Sequence, residues 1–160
     1  MSCAFPEPSA ENDFLAAHVA LLARSYRLLT GRELVPADMA DSAQIARWLY
    51  EAPFFLASHD GTADPVFNYG NLTAQMLFEM DWPAFTATPS RFTAEEPNRA
   101  ERARLLERVR ARGFIDDYAG VRISRTGRRF RIEGATVWNV LDDTGRPVGQ
   151  AATFDRWIPL

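Results

Sequence analysis

Asp116, Asp117 and Tyr118 are the adjacent side chains in this 160-residue sequence best suited to acid–base chemistry. Two carboxylates beside a phenol can move a proton when one acts as base and the other stays protonated. Neighbouring side chains on a strand point to opposite faces, so this pair is not a natural shared acid–base site. Ion pairing with Arg122 or Arg129 is the simpler use of these carboxylates. Two histidines are the other groups that titrate near neutral pH. His59 falls in the polar turn His59-Asp-Gly-Thr-Ala-Asp64, and His18 lies within an apolar helical face. A histidine on such a face is more often hydrogen-bonded packing than a ligand. The single cysteine, Cys3, can form no internal bridge. Between Asp64 and Trp82 there is no nucleophile–base pair, no metal-ligand spacing and no phosphate loop.

Hydrophobic residues make up 47% of the chain, enough for one core without disulfide or metal staples. The net charge of −3 is unevenly spread. Residues 1–90 carry 4 arginines against 11 acidic residues, whereas residues 91–131 carry 12 arginines against 6. Arg125, Arg128, Arg129 and Arg131 crowd one hairpin tip, where charge also keeps a sheet edge from aggregating. A solvated helix and hairpin account for the basic stretch, so nucleic acid is not the expected partner. No apolar run approaches the length of a membrane span, and a cytoplasmic protein without membrane contact is expected.

These residues must be positioned by a recognisable series of elements. Residues 1–11, with two prolines and small polar side chains, read as an unstructured leader. A helix is expected from Asn12 or Asp13 to Thr30, stopped by Gly31. Phe14, Leu15, Val19, Leu21, Leu22, Tyr26, Leu28 and Leu29 cover an arc of roughly 180°, wider than one docking face needs. Either a second copy of the chain or the chain's own wrapping would bury the surplus. A second helix is expected over Asp38–Glu51, with Ile45, Trp48 and Leu49 on one face. Phe54–Ser58 and Val66–Tyr69 read as a hairpin, followed by a helix over Leu72–Met80 that Asn71 can cap. A helical turn at Trp82–Phe85 follows. Thr93-Ala-Glu-Glu96 has capping-box spacing for a helix running to Arg112, with a thin apolar face of Leu105, Leu106 and Val109. Tyr118–Ser124, Arg128–Leu141 and Val148–Trp157, joined at Thr126-Gly127 and Asp142-Asp-Thr-Gly145, read as a three-strand meander. In the middle strand, alternation puts Phe130, Ile132, Thr136, Trp138 and Val140 on one face. The class is α+β: a five-stranded antiparallel sheet with helices on one face and an N-terminal helical extension over residues 12–52.

Two strands, several short helices and a meander over residues 53–158 resemble the PAS fold. Within it the chain is similar to the MEKHLA family, PAS-like domains found alone in bacteria and at the C-terminus of plant homeodomain–leucine zipper transcription factors. The resemblance rests on Asp64-Pro-Val-Phe-Asn-Tyr-Gly-Asn71, Leu77-Phe-Glu-Met-Asp-Trp82 and the string from Gly113 to Ser124. Gly127-Arg-Arg-Phe-Arg-Ile-Glu-Gly134 and Gly149-Gln-Ala-Ala-Thr-Phe154 carry it equally. It implies a sensory or dimerisation role in signal transduction and supplies no catalytic residue. The family's Met-Glu-Lys-His-Leu-Ala signature is absent, since the chain has no lysine.

A PAS-like sheet curves around a central cavity, and the expected lining is Phe67, Asn71, Phe78, Phe85, Phe114, Tyr118, Thr136, Trp138 and Thr153. Aromatic walls with a few polar groups suit a small molecule, although the same aromatics can fill a core solid. Flavin photochemistry in such domains needs a cysteine in the helical region, which Cys3 is not. Haem needs an axial ligand that neither histidine is placed to give. No haem or covalent flavin is expected. The resemblance therefore implies a homodimer, with a small-molecule ligand or a protein partner as further contacts. The alternatives are a solid interaction module and a cone-shaped enzyme of the ketosteroid-isomerase type, which needs Asp117 and His59 to converge in the cavity.

Overall fold

The computed structural model describes residues 5–160, the side chain of Pro97 excepted; Cys3 lies outside the described residues. Residues expected to form a loose leader are tied down here. The Ser9 N–H donates to Asn12 Oδ1 (3.0 Å) at the start of a 3-10 segment, and the Phe5 carbonyl accepts from Trp82 Nε1 (2.9 Å). Asp13, Phe14 and Leu15 then make a left-handed turn (φ 54°, 55° and 58°), so the first α-helix, α1, spans Ala16–Thr30 instead of starting at Asn12. Gly31 ends it at φ 73°, its N–H donating to the Arg27 carbonyl. Helix α2 spans Ser42–Tyr50 and is capped by Asp41, whose carboxylate accepts from the Gln44 N–H. Ala46, Leu49 and Tyr50 form its buried face, and Trp48 is turned outward.

Strands β1 (Phe55–Asp60) and β2 (Phe67–Gly70) pair antiparallel as a hairpin. Helices α3 (Leu72–Phe78), α4 (Trp82–Phe85) and α5 (Glu96–Arg112) follow. The expected capping box does not form. Thr93 instead closes a 3-10 turn, donating to the Ser90 carbonyl, and Glu95 occupies the cap position of α5. Strands β3 (Phe114–Ile123), β4 (Arg129–Leu141) and β5 (Pro147–Phe154) complete an antiparallel sheet of order β2-β1-β5-β4-β3. After a bend at Asp155 the chain resumes as β6 (Arg156–Pro159), pairing with the first half of β4, so the sheet keeps five positions.

Both faces of the sheet are covered. Helices α3, α4 and α5 pack on one face, over Phe55, Ala57, Phe130, Ile132 and Val137. The N-terminal extension packs on the other, where Val19, Leu22 and Tyr26 of α1 meet Leu56, Tyr69, Trp138 and Val140. The wide arc of α1 is therefore largely wrapped by its own chain: Leu21 and Leu29 pack against the same cluster, while Leu28 stays 64% exposed.

Gly70 and Gly134 shape this arrangement. A Cβ on Gly70 would lie 2.5 Å from the Phe85 ring, so only glycine lets α4 close on the hairpin. Gly70→Ala is expected to displace Phe85 and destabilise the fold by about 1–3 kcal/mol. An unchanged urea midpoint would refute that close contact. Gly134 sits at φ 62° in β4 and interrupts the strand's alternation. Phe130 and Ile132 face the α3–α5 side, but beyond Gly134 that side receives Ala135 and Val137. Thr136, Trp138 and Val140 consequently turn the other way, because one inserted residue flips every later side chain.

Candidate functional site

A cavity of about 80 Å³ lies between the sheet and α5. Its walls are mainly Phe55, Phe67, Phe78, Phe154, Leu105, Ile132 and Val137, and its polar groups are His59, Thr93, Arg102, Tyr118, Arg122 and Gln150. Helix α5 is held over it by Leu105 and Val109 against Val137, and by Gln150 Nε2 donating to the Leu106 carbonyl (3.0 Å). Arg102 Nη2 donates to Ser90 Oγ (2.6 Å). Arg122 donates to the Tyr118 hydroxyl (3.1 Å) and to the Val121 carbonyl (2.9 Å). An outer groove of about 410 Å³, edged by Asp60, Thr62 and Arg110, shares His59, Leu106 and Gln150 with the cavity. Those three residues form the threshold between solvent and interior.

Burial sets the electrostatics. The His59 imidazole is held neutral, its pKa lowered to about 4 by burial and then by the Arg102 cation, against the opposing bond of Nδ1–H to the Asp60 carbonyl. The Arg102 guanidinium is lowered to about 10, first by burial and then by the charge of Arg122.

Of the nine residues expected to line a site, Phe67, Phe78 and Tyr118 do so. Phe85 stands in a second layer behind Phe67, ring centroids 4.5 Å apart. Asn71 is fully buried and fully occupied. Its Oδ1 accepts from the N–H groups of Leu56 (3.2 Å) and Ala74 (3.0 Å), and its Nδ2 donates to the carbonyls of Leu49 (3.0 Å) and Phe54 (2.8 Å). It caps α3 as the sequence suggests, and no polar atom is left for a ligand. Thr136 and Trp138 face the N-terminal helices because of the phase change at Gly134, and Thr153 of β5, opposite Thr136 and Leu56 in register, shares that face. Trp138 Nε1 donates to the Leu22 carbonyl (3.2 Å), and Thr153 Oγ1 donates to the Phe55 carbonyl (2.8 Å). Phe114 packs at the edge of the same N-terminal cluster.

The sequence reading missed His59, Arg102, Arg122 and Gln150. Arg102 carried a usable signal: it precedes Leu105 by three residues and Val109 by seven, on the apolar stripe of α5. His59 was assigned to the turn because β1 runs two residues further than expected, to Asp60.

The enzyme-like constellation does not assemble. Between the register pairs Ile115↔Val137 and Tyr118↔Ala135, two residues of β3 oppose one of β4, and Asp117 adopts φ 58° in this bulge. Both carboxylates are exposed; Asp116 meets Arg32 (3.4 Å), not Arg122 or Arg129. No Asp or Glu of the described residues lines the cavity. The arginines of the β3–β4 hairpin also have acids of their own. Arg128 faces Glu79 (3.5 Å), Arg129 binds Glu95 through two nitrogens, and Arg131 approaches Glu133 (4.0 Å). His18 is hydrogen-bonded packing as expected, its Nε2–H donating to Ser58 Oγ (2.9 Å), which in turn donates to Asn68 Oδ1 (2.6 Å).

The MEKHLA domain profile matches residues 16–159. The homeobox-leucine zipper protein ATHB-14 of Arabidopsis thaliana is 30% identical over 139 residues, covering 85% of this chain and 16% of that protein. The homeobox-leucine zipper protein HOX32 of Oryza sativa subsp. japonica is 28% identical over 138 residues, with the same coverage. This chain thus spans about a sixth of the length of the curated relatives it matches. Among solved structures, the PAS domain of a Colwellia psychrerythraea protein has a TM-score of 0.61 at 12% identity, covering 69% of this chain and 91% of that one. The light-state dimer of the fungal blue-light photoreceptor Vivid has a TM-score of 0.57 at 12% identity, covering 96% and 98%. The fold is PAS-like.

Proposed function

The chain belongs to the MEKHLA domain family, and we propose that it works as a sensory or regulatory module whose core cavity takes up a small molecule. The observation behind this reading is the half-open cavity itself: apolar walls, several polar groups and a threshold to an outer groove. Occupancy would favour one arrangement of α5 against the sheet and so shift the population of signalling states. With no carboxylate in the cavity, we read the domain as a binder and not an enzyme. A volume of about 80 Å³ is well below the roughly 300–1,000 Å³ of sites for drug-sized ligands. Neither a flavin nor a haem fits it.

The partner we propose is a second copy. Vivid, which aligns over nearly the whole chain, is described as a dimer. A groove of about 430 Å³ runs beside α1, lined by Ala16, Ala17, Ala20, Leu21, Val35 and Ile45. A change in its occupation would be the contact passed to a protein partner. No helix among the described residues is long and apolar enough to cross a membrane, and we place the domain in the cytoplasm.

Native mass spectrometry of the purified protein tests both parts at once. The expected result is a dimer carrying a co-purified small molecule, with Ala20→Arg giving monomers. Empty monomeric mass for the unmodified chain would remove both.

A further inference from the structure

We propose that the ligand of the core cavity is a small organic carboxylate, its anionic end held between Arg102 and Arg122 and its short apolar end among the phenylalanines. This inference rests on the cavity being a ligand site and assigns that ligand's charge.

Both arginines line one half-open cavity, and each residue is nine-tenths buried or more, at 9% and 8% exposure. Among the described residues, no carboxylate lies within 4.0 Å of either one. The acid whose charge reaches Arg102 is Asp64, and it is already held by two nitrogens of Arg91 (3.0 and 3.3 Å). Arg102 has one acceptor, Ser90 Oγ, and Arg122 has two, the Tyr118 hydroxyl and the Val121 carbonyl, all uncharged. Arginine keeps its proton where lysine or histidine would shed it. The fold therefore encloses two like charges without a counter-ion, an arrangement that costs free energy unless an anion enters. The depressed titration of Arg102 beside Arg122 has the same origin.

Geometry narrows the anion further. Guanidinium groups bind carboxylates through paired N–H donors, and several donors of each arginine remain free for this. The same cavity is lined by Phe55, Phe67, Phe78 and Phe154, which offer an anion no partner. An apolar cavity of about 150 Å³ holds one benzene ring. At about 80 Å³, about half of that, the site suits a ligand of roughly three or four non-hydrogen atoms, the size of acetate.

The test titrates the full-length protein with acetate and propionate, and with acetamide and propionamide as uncharged equivalents, at constant ionic strength. Amide-resolved nuclear magnetic resonance reads the site. Expected are saturable shifts centred on Thr93, Arg102, Tyr118 and Arg122, with acetate bound at least about tenfold more tightly than acetamide. Arg102→Gln and Arg122→Gln should each lose that preference, and Arg125→Gln, on the exposed hairpin, should keep it. If either glutamine variant fails to fold, the acid–amide comparison on the unmodified protein still decides. Equal affinity for acid and amide within the cavity would overturn the charge assignment and leave the ligand site standing. Carboxylate shifts confined to the hairpin arginines would also overturn it. No shift in the cavity with any of the four compounds would overturn both.

Discussion

Asn71→Ala is expected to destabilise the protein by about 3–5 kcal/mol. The side chain makes four hydrogen bonds at 0% exposure. Alanine would leave the Leu56 and Ala74 N–H groups and the Phe54 carbonyl unpaired, while the Leu49 carbonyl keeps the Ala52 N–H (3.4 Å), and each unpaired group costs about 1–3 kcal/mol. The effect is large because these bonds join three elements: the end of α2, the entry to β1 and the first turn of α3. Asn71→Ser keeps an oxygen able to cap the Ala74 N–H and should recover about 1 kcal/mol. Urea unfolding of the three proteins would measure this. A loss below about 1 kcal/mol for the alanine variant would mean that Asn71 acts only as an ordinary surface cap.

Acidification should produce the other large effect. His59 is buried and His18 half-buried, and removal from solvent lowers both from 6.5 to about 4. Both titrate freely in the unfolded chain, so below pH 6.5 the unfolded state binds more protons and stability falls with falling pH. The loss develops between pH 6.5 and about 4 and reaches up to about 3 kcal/mol for each histidine. Above pH 6.5 these two groups contribute no slope. Glu79, Glu95 and Asp142 are also lowered, by hydrogen bonds from Ser124, Arg129 and Thr144 respectively, and act in the same direction at more acid pH. Unfolding free energy measured from pH 8 to 4 should be level at first and then decline. His18→Gln and His59→Gln should each remove about half of the decline between pH 6.5 and 5. An unchanged slope in the double variant would show that neither histidine is held neutral.

Much of the fold was legible because its signals are local. The hairpin turns, the Asn71 cap, the Gly31 stop and the thin stripe of Leu105 and Val109 depend on a few consecutive residues, and each appears in the structure. The long strings from Asp64 to Gly149 were enough to point to the family. The site was legible only in part. Phe67 and Phe78 belong to the hairpin and the helix whose apolar positions the sequence shows directly, and Tyr118 reaches the cavity just after the bulge at Asp116 and Asp117. Thr136 and Trp138 take the other face because Gly134 inserts one residue into a strand whose side chains alternate strictly, and Thr153 goes with them because β5 pairs it with Thr136. Arginine is usually solvated, so Arg102 is marked only by its place on the stripe of Leu105 and Val109, and nothing nearby in the chain marks Arg122 as buried.

By itself, the sequence determined the order of elements, their turns and caps, and membership of a PAS-like family. These follow from backbone preference and hydrophobic period, which act over distances of a few residues. Only the tertiary structure decided which face each β4 side chain takes, that Asp116 and Asp117 lie in an exposed bulge, and that two arginines share a buried cavity without an acid. Those outcomes depend on the accumulated phase of a strand and on neighbours from distant parts of the chain. Asp116, Asp117 and Tyr118 accordingly divide: the two acids go to solvent, and the phenol alone reaches the cavity, where it accepts a hydrogen bond from Arg122.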